Sequence, residues 1–195
     1  MVEEVITTLG RLALLLLAPL ALPSAAFAHQ LDEYVQATLV IIEPGNIRLQ
    51  LNLTPGAAVA DQVLPLIDRQ RDGVISTNEA NAYSELLKRD LVVRLDSRKL
   101  DLKLTGSNFP ALSELRTGDG IIQIEFSATP ALLAPGSHKL ILNNRHLPKI
   151  SAYLCNAAQP KSPSVKITGQ KRNKNQSNTE IAFTFESRTQ QSRKD

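Results

Sequence analysis

The chain is poor in the residues that build most reactive centres. Its 195 residues include one cysteine, three histidines, one methionine, no tryptophan and only 4% aromatics. A single cysteine, Cys155, excludes an intrachain disulfide, and three scattered histidines with one thiol offer no zinc spacing. Scarce aromatics remove the stacking platforms that bind bases and sugar rings, so nucleic acid is not expected as a partner. No glycine-rich phosphate loop is present, and Gly136-Ser137-His138 lacks the glycine spacing of a nucleophile elbow. Carboxylates are plentiful, but none pairs by spacing as acid and base. Catalysis is therefore not expected.

What is present is an ordinary core-forming composition, 43% hydrophobic and 21% charged. The core must rest on Leu, Ile, Val and Ala. Cys155 sits in the apolar run Ala152-Tyr153-Leu154-Cys155, which reads as a buried thiol. Between His29 and Val165 there are 14 Lys and Arg against 14 Asp and Glu, whereas Lys166 to Asp195 carries 7 against 3. The charge pattern is thus a neutral body with a basic end, read as solvated surface. Residues 187–195 are expected to be a disordered basic tail.

The first 28 residues read as a signal peptide. Leu12 to Leu22 is a short apolar stretch preceded by Arg11 and closed by small residues at Ala26 and Ala28. Pro19 and Pro23 interrupt it, and it falls short of the roughly 20 residues a membrane span needs. Cleavage after Ala28 would yield a periplasmic or secreted chain with no transmembrane segment. It would also make His29 the new N-terminus. An N-terminal His can hold copper or nickel through its amine and imidazole, with His138 or His146 as the further ligand available.

Tyr34–Glu43 is rich in β-branched residues and Ile47–Leu53 alternates with period two, and the turn Pro44-Gly45-Asn46 between them completes the pattern of a β-hairpin with one buried face. The period then lengthens. Val59, Val63, Leu66 and Ile67 recur at helical spacing, with Pro65 expected to bend or loosen the last turn. Ala80, Tyr83, Leu86 and Leu87 mark a second helix over about 77–89, opened by the capping pair Ser76 and Glu79. Strand character resumes at 91–95, 100–104, 121–126, 139–142, 165–168 and 181–185. The expected fold is mainly β, an antiparallel β-sandwich of about eight strands over 29–186 with a helix–loop–helix inserted at 55–90.

Between the two helical patterns lies Asp68-Arg69-Gln70-Arg71-Asp72-Gly73-Val74-Ile75-Ser76-Thr77-Asn78-Glu79. Calcium takes six to eight oxygens, and a twelve-residue loop can wrap them around it. Asp68, Gln70 and Asp72 supply side-chain oxygens at positions 1, 3 and 5. Gly73 permits the turn at position 6, and Val74 offers its carbonyl at position 7. Ser76 stands at position 9, and Glu79 at position 12 is placed for bidentate closure. The segment 55–90 resembles the EF-hand family, and that resemblance implies a single calcium site held by Asp68, Gln70, Asp72, Val74, Ser76 and Glu79. Gln70 is longer than the residue usual at position 3, and Arg69 and Arg71 bring positive charge near the ion, so binding is expected to be weak and structural. A lone EF-hand leaves Ile75, at position 8, to find a strand of its own domain, a second copy of the chain or a protein partner.

The exported body also resembles, more loosely, the extracytoplasmic N-terminal portion of bacterial nickel-permease relatives of the hydrogenase/urease accessory type. The shared features are small residues ahead of His29, then Leu31, a hairpin and an Asp-rich loop. Gln30 stands where that pattern has Pro, and the transmembrane helices are missing, so neither transport nor any residue role carries over.

Overall fold

The computed structural model describes residues 32–187. The expected signal peptide, His29 and the tail from Arg188 lie outside the described residues. The fold is mainly β, as the alternation implies, but with ten strands rather than about eight, arranged in two five-stranded sheets.

The first sheet has the order β5 (Lys103–Asn108), β6 (Ile122–Ala128), β2 (Asn46–Pro55), β1 (Tyr34–Glu43) and β8 (Ser151–Ala157). β1 and β2 form the expected hairpin, paired antiparallel from Tyr34 opposite Pro55 to Glu43 opposite Asn46. Gly45 at φ 74° after Pro44 supplies the positive φ that a Pro-Gly type II turn requires. The wholly antiparallel expectation is corrected at one pair. β8 runs parallel to β1, from Tyr34 opposite Ser151 to Val40 opposite Ala157.

The second sheet has the order β4 (Arg98–Lys99), β3 (Leu91–Leu95), β7 (Gly136–Asn144), β10 (Asn178–Phe185) and β9 (Val165–Arg172). The strand expected over 100–104 is not one element. Arg98–Lys99 closes a tight hairpin on β3, and pairing resumes only at Lys103 in the other sheet. Val40, Ile42, Leu49 and Phe126 from the first sheet share one apolar core with Val93, Leu140, Ile181 and Phe183 from the second. Each such fully buried side chain contributes about 1.5–3 kcal/mol relative to an exposed one.

Among the described residues, three helices accompany the sheets: α1 (Ala60–Ile67), α2 (Thr77–Asp90) and α3 (Leu112–Thr117). In α1, Ala60, Val63, Leu64 and Ile67 face inward, so one stripe is buried despite Pro65. Pro65 forgoes one backbone donor, yet the helix runs on to Ile67 and the Asp68 N–H still reaches the Leu64 carbonyl at 2.9 Å. α3 was not anticipated. It stops at Gly118, whose φ of 85° makes it the left-handed cap of a short helix.

Candidate metal loop and buried polar relay

The segment 68–76 joins α1 to α2 as an irregular loop, and its geometry comes from its own carboxylates. Asp68 accepts from the Asp72 N–H at 3.2 Å through Oδ1 and from the Gly73 N–H at 3.1 Å through Oδ2. Asp72 accepts from the Val74 N–H at 3.0 Å. Glu79 closes the other end. Its Oε1 accepts from the Gln70 N–H at 3.0 Å, and its Oε2 accepts from the Ser76 N–H at 3.0 Å and the Ser76 hydroxyl at 2.8 Å. The Glu79 N–H donates back to Ser76 Oγ at 3.3 Å, completing the capping box that Ser76 and Glu79 imply.

These bonds fix the loop's character. Glu79 is buried, and the N–H groups of Gln70 and then Ser76, with the Ser76 hydroxyl, hold its carboxyl down to about 2. Gly73 takes φ 84°, a value glycine adopts without the Cβ penalty, and Arg71 takes φ 58°, unusual for a residue with a side chain. Asp68 is buried, whereas Gln70, Asp72 and Val74 are exposed and Ser76 is half-buried. Ile75 packs against the domain's own core, which accounts for the position-8 side chain within the chain itself.

The residues singled out in the sequence thus stand together on one loop, but the carboxylates of Asp68, Asp72 and Glu79 are directed to the loop's own N–H groups and the Ser76 hydroxyl. Among the described residues, no three His, Cys, Asp or Glu side chains gather as a metal cluster. The donor chemistry nonetheless suits a hard cation. Three carboxylates, an amide oxygen, a hydroxyl and a main-chain carbonyl lie within twelve residues, and each carboxylate has about four lone-pair positions, only some of them used.

A second polar constellation lies one helical turn further on. Tyr83 of α2 is fully buried, with its hydroxyl 2.5 Å from that of Tyr34 on β1 and 3.0 Å from His146 Nε2. His146, also fully buried, places Nδ1 2.7 Å from Asp90 Oδ2 at the end of α2. Burial lowers the imidazole's affinity for a proton more than Asp90 raises it, so the ring is neutral. The Asp90 carboxylate can only accept, which places the single ring proton on Nδ1. Nε2 then accepts from Tyr83, and Tyr83 accepts from Tyr34, giving a relay with one direction. Burial raises the affinities of both phenols for their protons, Tyr34 well above the usual value, so both remain donors.

The backbone around His146 is held equally firmly. Its carbonyl accepts from Gln36 Nε2 at 2.8 Å, the Tyr153 hydroxyl at 2.9 Å and the Ser151 hydroxyl at 3.1 Å. Its N–H donates to Asn144 Oδ1 at 2.9 Å, and Asn144 Nδ2 donates to Gln36 Oε1 at 2.9 Å. Every buried polar group named here has a partner, the condition under which a polar core specifies one arrangement. The relay was not recognised from sequence, although strand parity signals it. Gln36 lies on the inward register of Tyr34, Thr38 and Val40, where a polar side chain needs a buried partner.

Of the copper or nickel ligands considered in the sequence, His29 lies outside the described residues, and His138 and His146 are otherwise engaged. Both nitrogens of His146 are committed to the relay. His138 has Nδ1 2.6 Å from Asp96 Oδ2 and Nε2 2.8 Å from the Ala134 carbonyl. Cys155 is buried, and burial pushes its thiol up. The outer face of the first sheet forms a shallow concavity lined by Gln50, Asn52, Gln123 and Glu125, where Gln50 donates to Glu125 at 2.6 Å. No helix among the described residues is long and apolar enough to cross a membrane.

No protein-family model matches the chain, and no curated protein is found to be similar to it.

Proposed function

We propose that this is an exported, non-catalytic calcium-binding β-domain whose single EF-hand-type loop, Asp68 to Glu79, serves to brace the fold. The observation that supports the reading best is the convergence of the loop's first and last residues. Asp68 reaches forward to positions 5 and 6, while Glu79 reaches back to positions 3 and 9, so between them the two carboxylates draw on backbone donors from residues 70–76. Asp68, Asp72 and Glu79 would hold the ion with the Gln70 amide oxygen, the Val74 carbonyl and Ser76. The leader-like composition of residues 1–28 supports export, and calcium is available outside the cytoplasm.

Bound calcium would cross-link the two helices through the loop. A dissociation constant on the order of 0.1–1 mM suits a site with two arginines alongside. At about 1 mM calcium and a Kd of about 0.1 mM, binding stabilises the native state by about 1.4 kcal/mol. For a chain of this size that is a rise in Tm of roughly 3–6 °C. Calorimetric titration of the chelator-stripped protein should show one site per chain, and Glu79→Gln should abolish both the heat and the Tm shift. Superimposable melting curves in EDTA and in 5 mM calcium would end this reading.

A further inference from the structure

We propose that the cleft between α1 and α3 captures the C-terminal carboxylate of a peptide whose last residue is apolar. The cleft, of about 550 Å³, lies beside the loop, with Leu64, Pro65 and Leu112 on its walls and Ser113, Arg71 and Arg116 at its edge. That size is in the range of small-ligand sites and suits one or two terminal residues rather than a folded surface. Two arginines and an apolar lining in one cleft match a carboxylate joined to an apolar side chain, because arginine offers two parallel donors to the two carboxylate oxygens. The Ser113 hydroxyl is exposed and available to the amide next to that carboxylate.

Two features distinguish these arginines from ordinary surface charge. Among the described residues, Arg71 makes no ion pair and no side-chain hydrogen bond, and it occupies a left-handed backbone position that glycine or asparagine would fill at lower cost. Arg116 donates to Asp61 through Nη1 at 2.7 Å, leaving four of its five N–H donors for a ligand. Asp68 also lines the cleft, but both of its oxygens accept loop N–H groups, so its charge is partly satisfied where it stands.

The test is titration of the purified protein with fluorescently labelled tripeptides ending in Leu, Val or Phe, as free acids and as C-terminal amides, read by anisotropy. Measurements in EDTA judge the cleft independently of whether the loop takes calcium. At least one free acid should bind, and its amide should bind about tenfold or more weakly, the loss expected for charge-assisted bonds. Arg71→Gln and Arg116→Gln should each reproduce about that loss for the acid and leave the circular dichroism spectrum unchanged, since both side chains are exposed. Equal binding of acid and amide, undiminished binding by Arg71→Gln, or no binding by any free acid would overturn the proposal. So would inorganic phosphate that competes as well as unlabelled free acid, because phosphate uses the arginines without the apolar lining.

Discussion

Tyr83 places its hydroxyl 3.0 Å from Nε2 of His146, one helical turn beyond the Glu79 carboxylate that closes the loop. α2 is therefore tied at one end to the loop and along its length to both the hairpin strand β1 and the segment after β7. The relay has a direction, from Tyr34 through Tyr83 and His146 to Asp90, and that direction ranks the cost of breaking each link.

Tyr83→Phe removes the donor to His146 Nε2 and the acceptor for the Tyr34 hydroxyl, leaving two buried groups without partners. It should destabilise by about 2–6 kcal/mol, at about 1–3 kcal/mol for each of the two orphaned groups. Tyr34→Phe removes only the terminal donor and orphans nothing, so about 0.5–1.5 kcal/mol is expected. Urea unfolding of both variants gives the order, and a Tyr34→Phe cost equal to or above that of Tyr83→Phe would refute the assigned direction.

The two described histidines should give the protein a stability maximum near pH 6.5. For His146, burial lowers the pKa, so as pH falls below 6.5 the unfolded chain takes up the proton first and stability declines. For His138, burial acts against the proton, but the bonds to Asp96 and the Ala134 carbonyl and the charge of Asp96 outweigh it and raise the pKa. The stability that His138 contributes is complete below 6.5 and is lost as pH climbs through the raised value. Unfolding midpoints at pH 5, 6.5 and 8 should peak in the middle. His138→Gln should remove the alkaline decline while leaving the acid decline in place.

Much of this was legible in the sequence, and the parts that were not have physical causes. The β1–β2 hairpin and α2 were readable because a period of two, a Pro-Gly turn and a Ser-Glu capping pair are local signals. β8 was missed because Ser-Ala-Tyr-Leu-Cys-Asn-Ala contains no β-branched residue. What makes it a strand is its pairing with β1, about 117 residues earlier, from Tyr34 to Ser151. α3 was missed because six residues are too few to show a helical period. The loop's residues were identified, but not that their carboxylates would first serve backbone N–H groups, since that depends on loop torsions no spacing rule supplies.

Glu79 should control the acid limb below the histidine range. Its carboxyl is held down to about 2 by the N–H groups of Gln70 and Ser76, so the stability it provides is present above its ordinary value of 4.5 and disappears as pH falls towards 2. Glu79→Gln should flatten the dependence of the unfolding midpoint on pH between about 2 and 4.5. Ser76→Ala should lower stability by about 1 kcal/mol through loss of the cap and shift the Glu79 titration, followed by carbon-13 NMR, upward. An unchanged Glu79 titration in Ser76→Ala would mean that the capping box does not set it.

The arginines at positions 2 and 4 of the loop should weaken calcium binding by simple repulsion. Both are exposed, so water and salt screen them, and a unit charge about 8 Å from a divalent ion in high dielectric costs about 1 kcal/mol before salt screening. Near physiological ionic strength the Debye length is about 8 Å, which reduces that cost to roughly 0.4 kcal/mol per arginine, or about twofold in affinity. Arg69→Gln combined with Arg71→Gln should therefore tighten calcium about fourfold by calorimetry, and the gain should shrink towards nothing in 1 M salt. Arg71 differs from Arg69 in one respect, because its φ of 58° adds a backbone cost that glutamine keeps and glycine relieves. Arg71→Gly should consequently match Arg71→Gln in calcium affinity without losing stability, whereas Arg69→Gly, lacking a positive φ to relieve, should be destabilised. If the double substitution left calcium affinity unchanged at low salt, the guanidinium groups would have to point away from the ion, and repulsion would not explain weak binding.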